Sequence, residues 1–344
     1  MLHKPYPDTA GYDIGKLKTV EKLPPGADAV LFHVQAPDGR EYCLKEARRW
    51  PRGTGEHAPL RNQVGTNPPY ALKKKHFLNE YSVARDLLTD EAPPFPPVRS
   101  LIERKFFGIE WGCDLLLDYL HGSDLGQMIH RHQPDNEASL INILFQAAHA
   151  LRYIHEHNYL HLDVKPHNFI ATQNSIFIID FGSAAAKKTA PTTMTGTIGY
   201  LAPEQLMADG RQRLDQRADV YGFGIMANEL FGGSFLQQEE VMSMTTPSRR
   251  EWAKQAMRKE KSFIDISSFQ KGNSTYRALG DLVAACTTPT PKLRPQQMKK
   301  IIDRLTDIAN QNNIELRPPD WNKDLGLNQQ NSSASSGSRD KPDA

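Results

Sequence analysis

Near the middle of the chain, residues 161–168 read His-Leu-Asp-Val-Lys-Pro-His-Asn. This run supplies the carboxylate of Asp163, the ammonium of Lys165 and the amide of Asn168 within a few residues of one another. Another carboxylate, Asp180, follows in the sequence Asp-Phe-Gly. Together these groups are suited to hold Mg²⁺ and a triphosphate and to direct a hydroxyl group at the terminal phosphate.

A β-hairpin is predicted between Asn168 and Asp180. Residues 169–171 are apolar, residues 172–175 are polar and turn-forming, and residues 176–179 are β-branched or aromatic. This pattern predicts strands joined by a tight turn. Because a hairpin returns the chain to its starting point, we expect Asn168 and Asp180 to lie side by side at its open end. Their oxygens would suit Mg²⁺, which takes few protein ligands and leaves positions for phosphate and water.

Length and composition restrict the class of protein. The 344 residues suit one large two-lobed domain or two small domains, and 39% hydrophobic residues allow a substantial core. A net charge of +2 gives no reason to expect nucleic acid as a partner. No apolar run is long enough to span a bilayer and no charged-then-apolar leader begins at Met1, so we predict a cytoplasmic, soluble protein. The three cysteines are odd in number and far apart, which predicts reduced thiols.

Apolar residues at helical spacing predict helices before and after these motifs. The stripe before them is Leu140, Leu144, Ala147, Leu151 and Ile154. The stripe near the end of the chain is Met298, Ile301, Ile302, Leu305 and Ile308. From about Pro318 the chain is rich in Pro, Asn, Gln, Ser and Gly and has little to bury, so we predict a disordered tail over residues 318–344.

These motifs resemble the catalytic and metal-binding loops of the eukaryotic-type serine/threonine protein kinases. The resemblance runs from about Lys16 to about Ala309 and is stronger in the second half. Further motifs follow in the order typical of that family: Ala202-Pro203-Glu204, Asp219-Val220-Tyr221-Gly222-Phe223-Gly224 and Lys292-Leu293-Arg294-Pro295. Each motif alone is an ordinary turn or cap, whereas their common order is hard to explain by chance.

The resemblance implies a fold and a reaction. It implies an α+β, bilobal kinase domain over residues 14–310, with a small, mostly β N-lobe carrying one main helix (about 14–120) and a larger, mostly helical C-lobe (about 121–310). ATP would donate its terminal phosphate to a serine or threonine of a protein substrate. Asp163 would orient the hydroxyl and accept its proton, as general bases do. Lys165, two residues later, would stabilise the γ-phosphate and resembles the serine/threonine-selective members.

The resemblance also assigns the ligands of metal and nucleotide. Asn168 and Asp180 would hold Mg²⁺, with Mn²⁺ as an alternative. Lys45 would contact the α- and β-phosphates, and Glu80 on the following helix would be its partner. Asp124 is either the acid that faces the ribose or a residue that favours the start of the next helix. The remaining nucleotide contacts implied by the resemblance are Val30, Cys43, Leu117 as the gatekeeper, and the backbone groups of Asp118 and Leu120.

Other assignments concern the segment that would bind the peptide. Thr197 matches the threonine that contacts the catalytic loop, and Glu204 is expected to pair with Arg294 through charge-assisted hydrogen bonds. Leu162 occupies the position where many family members have an arginine that binds a phosphorylated residue. We therefore predict that phosphorylation of this segment is not the switch that activates the protein, although acceptors are present: Thr189, Thr192, Thr193 and Thr195.

The main departure from the family pattern is the glycine-rich loop. If Val30 takes the valine position, the glycine positions fall on Leu23, Pro25 and Asp28. Proline removes a backbone donor and aspartate adds negative charge, so we expect weaker phosphate binding. This departure leaves open a pseudokinase that binds nucleotide or acts as a scaffold; a small-molecule phosphotransferase is a second alternative. An insertion over residues 50–70 is either a regulatory or partner-binding feature or has no role.

Overall fold

A computed structural model describes residues 14–24, 29–49, 69–89, 92–132, 136–189, 191, 194–211, 213–233, 243–259 and 264–326. The chain divides by its contacts into two compact units. Unit 1 contains residues 1–120 and 180–183, and unit 2 contains residues 121–179 and 184–344. Several predictions fall outside the described residues: the loop positions Pro25 and Asp28, the insertion over residues 50–68, Thr192 and Thr193, and the tail beyond residue 326.

Unit 1 is built on an antiparallel sheet of five strands in the order β1-β2-β3-β5-β4. In β3 the side chains of Tyr42 and Leu44 are buried, and Lys45 lies on the other face because side chains alternate along a strand. Strand β5, which lies between β3 and β4, is buried almost throughout its second half. The strands are β1 (Lys18–Lys22), β2 (Val30–Gln35), β3 (Glu41–Arg48), β4 (Val98–Phe106) and β5 (Ile109–Asp118).

The main helix of unit 1, α1 (Tyr70–Leu87), explains the placement of Glu80. Its buried side chains include Phe77, Ala84 and Leu87, which recur at the spacing of one helix face. Glu80 lies on the same face and is buried with them. A charged residue within an apolar stripe needs a partner, since an unpaired buried charge is costly.

Unit 2 is mostly helical, and the longest of its described helices is α3 (Glu137–Glu156), whose N-cap residue Asn136 accepts a side-chain hydrogen bond from the Ser139 N–H at 2.8 Å. Both apolar stripes predicted from the sequence are buried, in α3 and α9. No helix in the described ranges has the length and apolar character that a membrane crossing requires. The helices are α2 (Leu125–His130), α3 (Glu137–Glu156), α4 (Ala208–Arg211), α5 (Arg217–Leu230), α6 (Thr246–Lys259), α7 (Ser267–Gln270), α8 (Ser274–Cys286), α9 (Met298–Gln311) and α10 (Trp321–Asp324).

Small sheets in unit 2 hold the segments that carry the catalytic motifs. The predicted hairpin is confirmed: β8 (Phe169–Ala171) pairs with β9 (Ile176–Ile178), and β6 (Ser123–Asp124) pairs with the other edge of β8. Strand β7 (Tyr159–Leu160) pairs with β10 (Ala185–Ala186). A β-sheet unit followed by a helical unit confirms the predicted α+β fold.

The beginning of the C-terminal tail differs from the sequence prediction. Residues 318–326 are described and include α10, whereas the composition predicted disorder from residue 318. Their order comes from hydrogen bonds rather than from a large apolar surface, and composition does not reveal these. The indole Nε1 of Trp321, for example, donates to the carbonyl of Ile176 at 3.0 Å.

Candidate active site

The residues predicted to do chemistry form separate groups in the two units, and each group is described by itself. Unit 2 contains Asp163, Lys165, Asn168 and Asp124. Unit 1 contains Asp180 and the remaining predicted nucleotide contacts: Val30, Cys43, Lys45, Glu80, Leu117, Asp118 and Leu120.

The carboxylate of Asp163 is the centre of the group in unit 2. Its Oδ1 accepts a hydrogen bond from the Thr197 N–H at 2.7 Å, and its Oδ2 accepts from Lys165 Nζ at 2.9 Å and from Asn168 Nδ2 at 3.1 Å. The Lys165 ammonium also donates to Thr197 Oγ1 at 2.7 Å. These donors fix the orientation of the carboxylate, which suits a group that aligns and deprotonates a hydroxyl.

The loop that carries Asp163 is held by hydrogen bonds to a buried carboxylate, that of Asp219 on α5. Asp219 accepts hydrogen bonds from the backbone N–H groups of His161 at 2.8 Å and Leu162 at 2.7 Å. His155 Nε2 lies 2.8 Å from the same carboxylate. Burial opposes the charge, but the contacts with His155 and His161 outweigh it and lower the pKa of Asp219. Leu162 has a φ of 63°, a strained value for a leucine that these bonds stabilise.

The backbone of this loop lies very close to the backbone of the segment before Ala202. Gly196 has a φ of 100°, and a Cβ added there would lie 2.4 Å from the carbonyl oxygen of Leu162. Only glycine fits such a position. The side chain of Gln205 donates to the same carbonyl at 3.1 Å. Leu162 is therefore buried and held through both its N–H and its C=O.

The predicted pair of Glu204 and Arg294 is present and buried. Arg294 Nη1 and Nη2 donate to the two carboxylate oxygens of Glu204 at 2.7 and 2.9 Å. Its remaining donor capacity goes to the backbone carbonyls of Thr288, Arg217 and Pro289. Such bidentate geometry is specific to arginine and fixes the segment around Glu204 within unit 2.

In unit 1, Lys45 and Glu80 form the predicted ion pair, with 2.6 Å between Nζ and Oε1. Burial disfavours the ammonium, but the carboxylates of Glu80 and Asp180 outweigh it and raise the pKa of Lys45 above its usual value. Lys45 is thus a cation at all physiological pH values. A buried, permanently charged ammonium is suited to bind phosphate oxygens.

The backbone of Asp180-Phe181-Gly182 is held by α1. Asn79, next to Glu80, donates through Nδ2 to the carbonyls of Phe181 at 2.8 Å and Gly182 at 3.2 Å. Asp180 has a φ of 67°, and its Oδ1 accepts from the Gly182 N–H at 3.1 Å. The helix that supplies Glu80 therefore also fixes the turn that carries Asp180.

The other predicted nucleotide contacts of unit 1 lie on β2, β3 and β5. Cys43 is directly opposite Leu117 in the sheet, and Val30 begins β2. Burial raises the pKa of the Cys43 thiol to about 11, so it is protonated at neutral pH. Leu120 is buried beyond the end of β5.

Asp118 requires a refinement. Its N–H donates to the carbonyl of Pro97 at 3.0 Å, and its carboxylate is paired with Arg99. Of the two backbone groups predicted to contact a base, the N–H thus already donates to Pro97, and the carbonyl is the group that remains for the predicted contact.

Asp124 caps the helix that follows it. Its Oδ1 accepts from the Gln127 N–H at 2.9 Å and lies 2.8 Å from His167 Nδ1. The sequence left two roles open for Asp124, an acid that faces the ribose and a residue that favours the start of the helix. The helix cap is the role that the contacts in the structure display.

Several positioning residues were missed by sequence reasoning. Asp219 was recognised only as the first residue of a family motif, and the contacts of Asn79, Gln205 and His155 were not predicted. An acid at the start of an otherwise apolar helix was the available signal for Asp219. The contacts of Asn79 and Gln205 are made to backbone groups far away in sequence, which side-chain patterns do not encode.

Comparison with known proteins places these motifs in a family context. A model of the protein kinase domain matches residues 105–305. A serine/threonine-protein kinase of Corynebacterium efficiens is 37% identical over 126 residues, which is 35% of this chain and 24% of that protein. An Aurora kinase of Saccharomyces cerevisiae is 34% identical over 143 residues, which is 41% of this chain and 38% of that protein.

A longer match joins the chain to a probable serine/threonine-protein kinase of Clostridium acetobutylicum. It covers 202 residues at 27% identity, which is 57% of this chain and 28% of that protein. The matched segments therefore span about a quarter to two fifths of the length of these curated relatives.

Proposed function

Because the chain belongs to the protein kinase domain family, we propose that it transfers the terminal phosphoryl group of ATP to serine or threonine residues of proteins. The observation that carries the proposal is the carboxylate of Asp163, which accepts hydrogen bonds from Thr197, Lys165 and Asn168. A carboxylate held in this way is suited to accept the proton of a hydroxyl group.

In this mechanism, Asp163 orients the acceptor hydroxyl and takes its proton as the oxygen attacks the γ-phosphorus. The bond from the γ-phosphorus to the β,γ-bridging oxygen breaks, and ADP leaves with that electron pair. Lys165, bonded to Asp163 and Thr197, supplies positive charge for the transferring group. Lys45, held by Glu80, contacts the phosphates that remain with ADP.

The metal that this chemistry uses would be held by oxygens of Asn168 and Asp180. The amide nitrogen of Asn168 already donates to the carbonyl and the carboxylate of Asp163, at 2.8 and 3.1 Å. Its amide oxygen is the atom left to act as a ligand, and Asp180 offers a carboxylate. Both are hard oxygen donors that fit Mg²⁺ or Mn²⁺, which neutralises charge on the phosphates when bound.

The experiment is transfer of radiolabelled phosphate from ATP to the protein itself and to generic protein substrates. We expect divalent-metal-dependent labelling of serine or threonine and a loss of at least about a hundredfold in Asp163→Asn and Asp180→Ala. The matched control is Asp303→Asn, which changes an exposed aspartate on α9 paired with Lys299 and should label like the wild type.

Three outcomes would contradict parts of the proposal. Equal labelling of wild type and Asp180→Ala would refute catalysis by this site. Phosphotyrosine as the only product would refute the role assigned to Lys165. A wild type that binds nucleotide without transferring phosphate would favour the pseudokinase that the departures in the glycine-rich loop leave open.

A further inference from the structure

Residues 314–326, here named the C-terminal clamp, are attached to helix α3 by their first half. Asn142 on α3 donates through Nδ2 to the carbonyl of Glu315 at 3.0 Å and accepts from the Arg317 N–H at 2.7 Å. Gln146, one turn further along, donates to the carbonyl of Arg317 at 2.8 Å. The clamp is thereby fixed to a helix whose apolar face is buried in unit 2.

The second half of the clamp binds the turn of the β8–β9 hairpin through a carboxylate. Asp324 Oδ2 accepts from Thr172 Oγ1, and its Oδ1 accepts from Asn174 Nδ2, both at 2.6 Å. These bonds have an ionised acceptor, which makes them about twice as strong as neutral ones. One side chain of the clamp thus bonds to both sides of the turn.

Further contacts of the clamp reach the last turn residue and the first residue of β9. The Asp320 N–H donates to Ser175 Oγ at 2.8 Å, and Trp321 Nε1 donates to the carbonyl of Ile176 at 3.0 Å. The clamp lies beyond the segment matched by the kinase family model, which ends at residue 305. It therefore adds contacts to the hairpin that the matched domain does not provide.

The hairpin connects this turn directly to a catalytic residue. Its strands are three residues each, and Phe169, Phe177 and Ile178 are fully buried. At the open end, the Ile179 N–H donates to the carbonyl of Asn168 at 2.9 Å. Ile170 and Ala171 are partly exposed, but Phe169 and all of β9 are buried. A short ladder packed in this way transmits a shift at its turn to its open end, because its buried side chains have little room to adjust separately.

We propose that the C-terminal clamp is a positioning element of the catalytic loop. By fixing residues 172–176, it holds the hairpin so that Asn168 keeps its amide bonded to Asp163 and its amide oxygen in place for the metal. The catalytic consequence rests on the proposed function, whereas the mechanical coupling can be measured without ATP.

The first test measures hydrogen exchange of the full chain without nucleotide. The variants are Asp324→Asn, which weakens the contacts to Thr172 and Asn174, and Trp321→Phe, which removes the indole donor while keeping an aromatic ring. The control is Asp303→Asn, a matched charge removal on the exposed face of α9. We expect exchange in residues 168–179 to accelerate about tenfold in Asp324→Asn, less in Trp321→Phe, and not in the control.

Two results would overturn the coupling. One is unchanged exchange in the hairpin of both variants. The other is an equal acceleration across α8 and α9, which would mean that the clamp contributes only to overall stability. Because these readouts need no phosphate transfer, they hold even if the proposed function fails.

The second test measures the metal requirement of phosphate transfer. In Asp324→Asn the Mg²⁺ concentration for half-maximal activity should rise about tenfold, as is usual when a residue that orients a metal ligand is changed. The affinity for AMP without metal should stay unchanged. Faster hairpin exchange with an unaltered Mg²⁺ requirement would refute the action on Asn168, and a wild type without transfer would refute the proposed function instead.

Discussion

Each unit contains a buried ion pair, and the pairs differ in how far their donors are used. In unit 2, the guanidinium of Arg294 bonds to both oxygens of Glu204 and to three backbone carbonyls. In unit 1, the ammonium of Lys45 has one hydrogen bond among the described contacts, to Glu80 at 2.6 Å. Arginine and lysine carry the same charge, so the difference lies in the number and geometry of their donors and in the partners that surround them.

We interpret this as the difference between a structural charge and a charge that is available to a ligand. Every buried donor needs an acceptor, so a cation whose donors are all used has no capacity for a ligand. Arg294 is fully buried and also lies over the ring of Tyr221 at 4.8 Å. Lys45 is buried by protein but has three donors and, among the described contacts, one acceptor, Glu80, so it has capacity for phosphate oxygens.

Replacing Lys45 gives the largest expected effect. Lys45→Met should reduce phosphate transfer about a thousandfold, or roughly 4 kcal/mol of barrier, because the phosphates lose their buried cation. Labelling kinetics measure the change, and chemical denaturation of the same protein should show a smaller loss of stability than for Arg294→Met. If Lys45→Met instead unfolds more readily than Arg294→Met, the distinction between structural and functional charge is wrong.

Replacing Arg294 should affect stability first. Arg294→Met leaves the Glu204 carboxylate and the carbonyls of Thr288, Arg217 and Pro289 without their donor, which should cost about 3–5 kcal/mol of unfolding free energy. Urea denaturation measures it. Adding Glu204→Gln to Arg294→Met should recover part of the loss, since the unpaired charge is removed. No recovery in the double variant would show that the backbone bonds, rather than the ion pair, dominate.

Sequence reasoning succeeded where the signal was local. The hairpin over residues 169–178 and the helical stripes of α3 and α9 follow from periodicity, which reports directly on burial. The pairs Lys45–Glu80 and Glu204–Arg294 came from the family resemblance and are present. The family motifs therefore predicted contacts between residues far apart in the sequence, which periodicity could not predict.

The rest could not be predicted for physical reasons. Residues 318–326 have little to bury, yet they are ordered by polar contacts such as those of Asp324 with Thr172 and Asn174. Composition indicates how much apolar surface a segment can bury, but it does not indicate whether its polar groups match polar groups elsewhere in the chain. The same holds for Asn79, whose partners are backbone carbonyls roughly a hundred residues away along the chain.

Asp219, like Arg294, is a buried charge whose hydrogen bonds are made within the protein, and it allows a pH-dependent test of such a structural charge. The pKa of Asp219 is lowered in the folded protein. Its contribution to the free energy of unfolding is therefore present above the unfolded pKa of about 4 and is lost as the pH falls through the folded pKa. Asp219→Asn should cost about 2 kcal/mol at pH 7, because the N–H groups of His161 and Leu162 lose an ionised acceptor. The difference in unfolding free energy between wild type and variant, measured by denaturation, should narrow as the pH falls below about 4 and through the lowered folded pKa. A difference that stays constant would mean that this charge is not what holds the loop.

The smallest effect is expected from removing the phosphate acceptors before Thr197. Thr189→Ala, Thr192→Ala, Thr193→Ala and Thr195→Ala combined should leave phosphate transfer within a few-fold of wild type. The reason is that the described residues on either side of these threonines, Lys187 and Thr197, are already held by internal contacts. Leu162 offers no cation, and Lys187 donates to the carbonyl of His155 at 2.6 Å and to Gln216 at 3.2 Å.

Lys187 is the control for this last prediction. Burial lowers its pKa, in spite of the nearby carboxylates, which agrees with an ammonium enclosed by the fold rather than one available to a phosphate. Lys187→Met should therefore reduce transfer more than the loss of all four threonines, by about tenfold, since one charged hydrogen bond is worth roughly 1.5–3 kcal/mol. A loss of a hundredfold or more in the threonine variant, about 2.7 kcal/mol, with unchanged circular dichroism would reverse this order. It would show that a phosphate, and not the internal contacts, orders the segment.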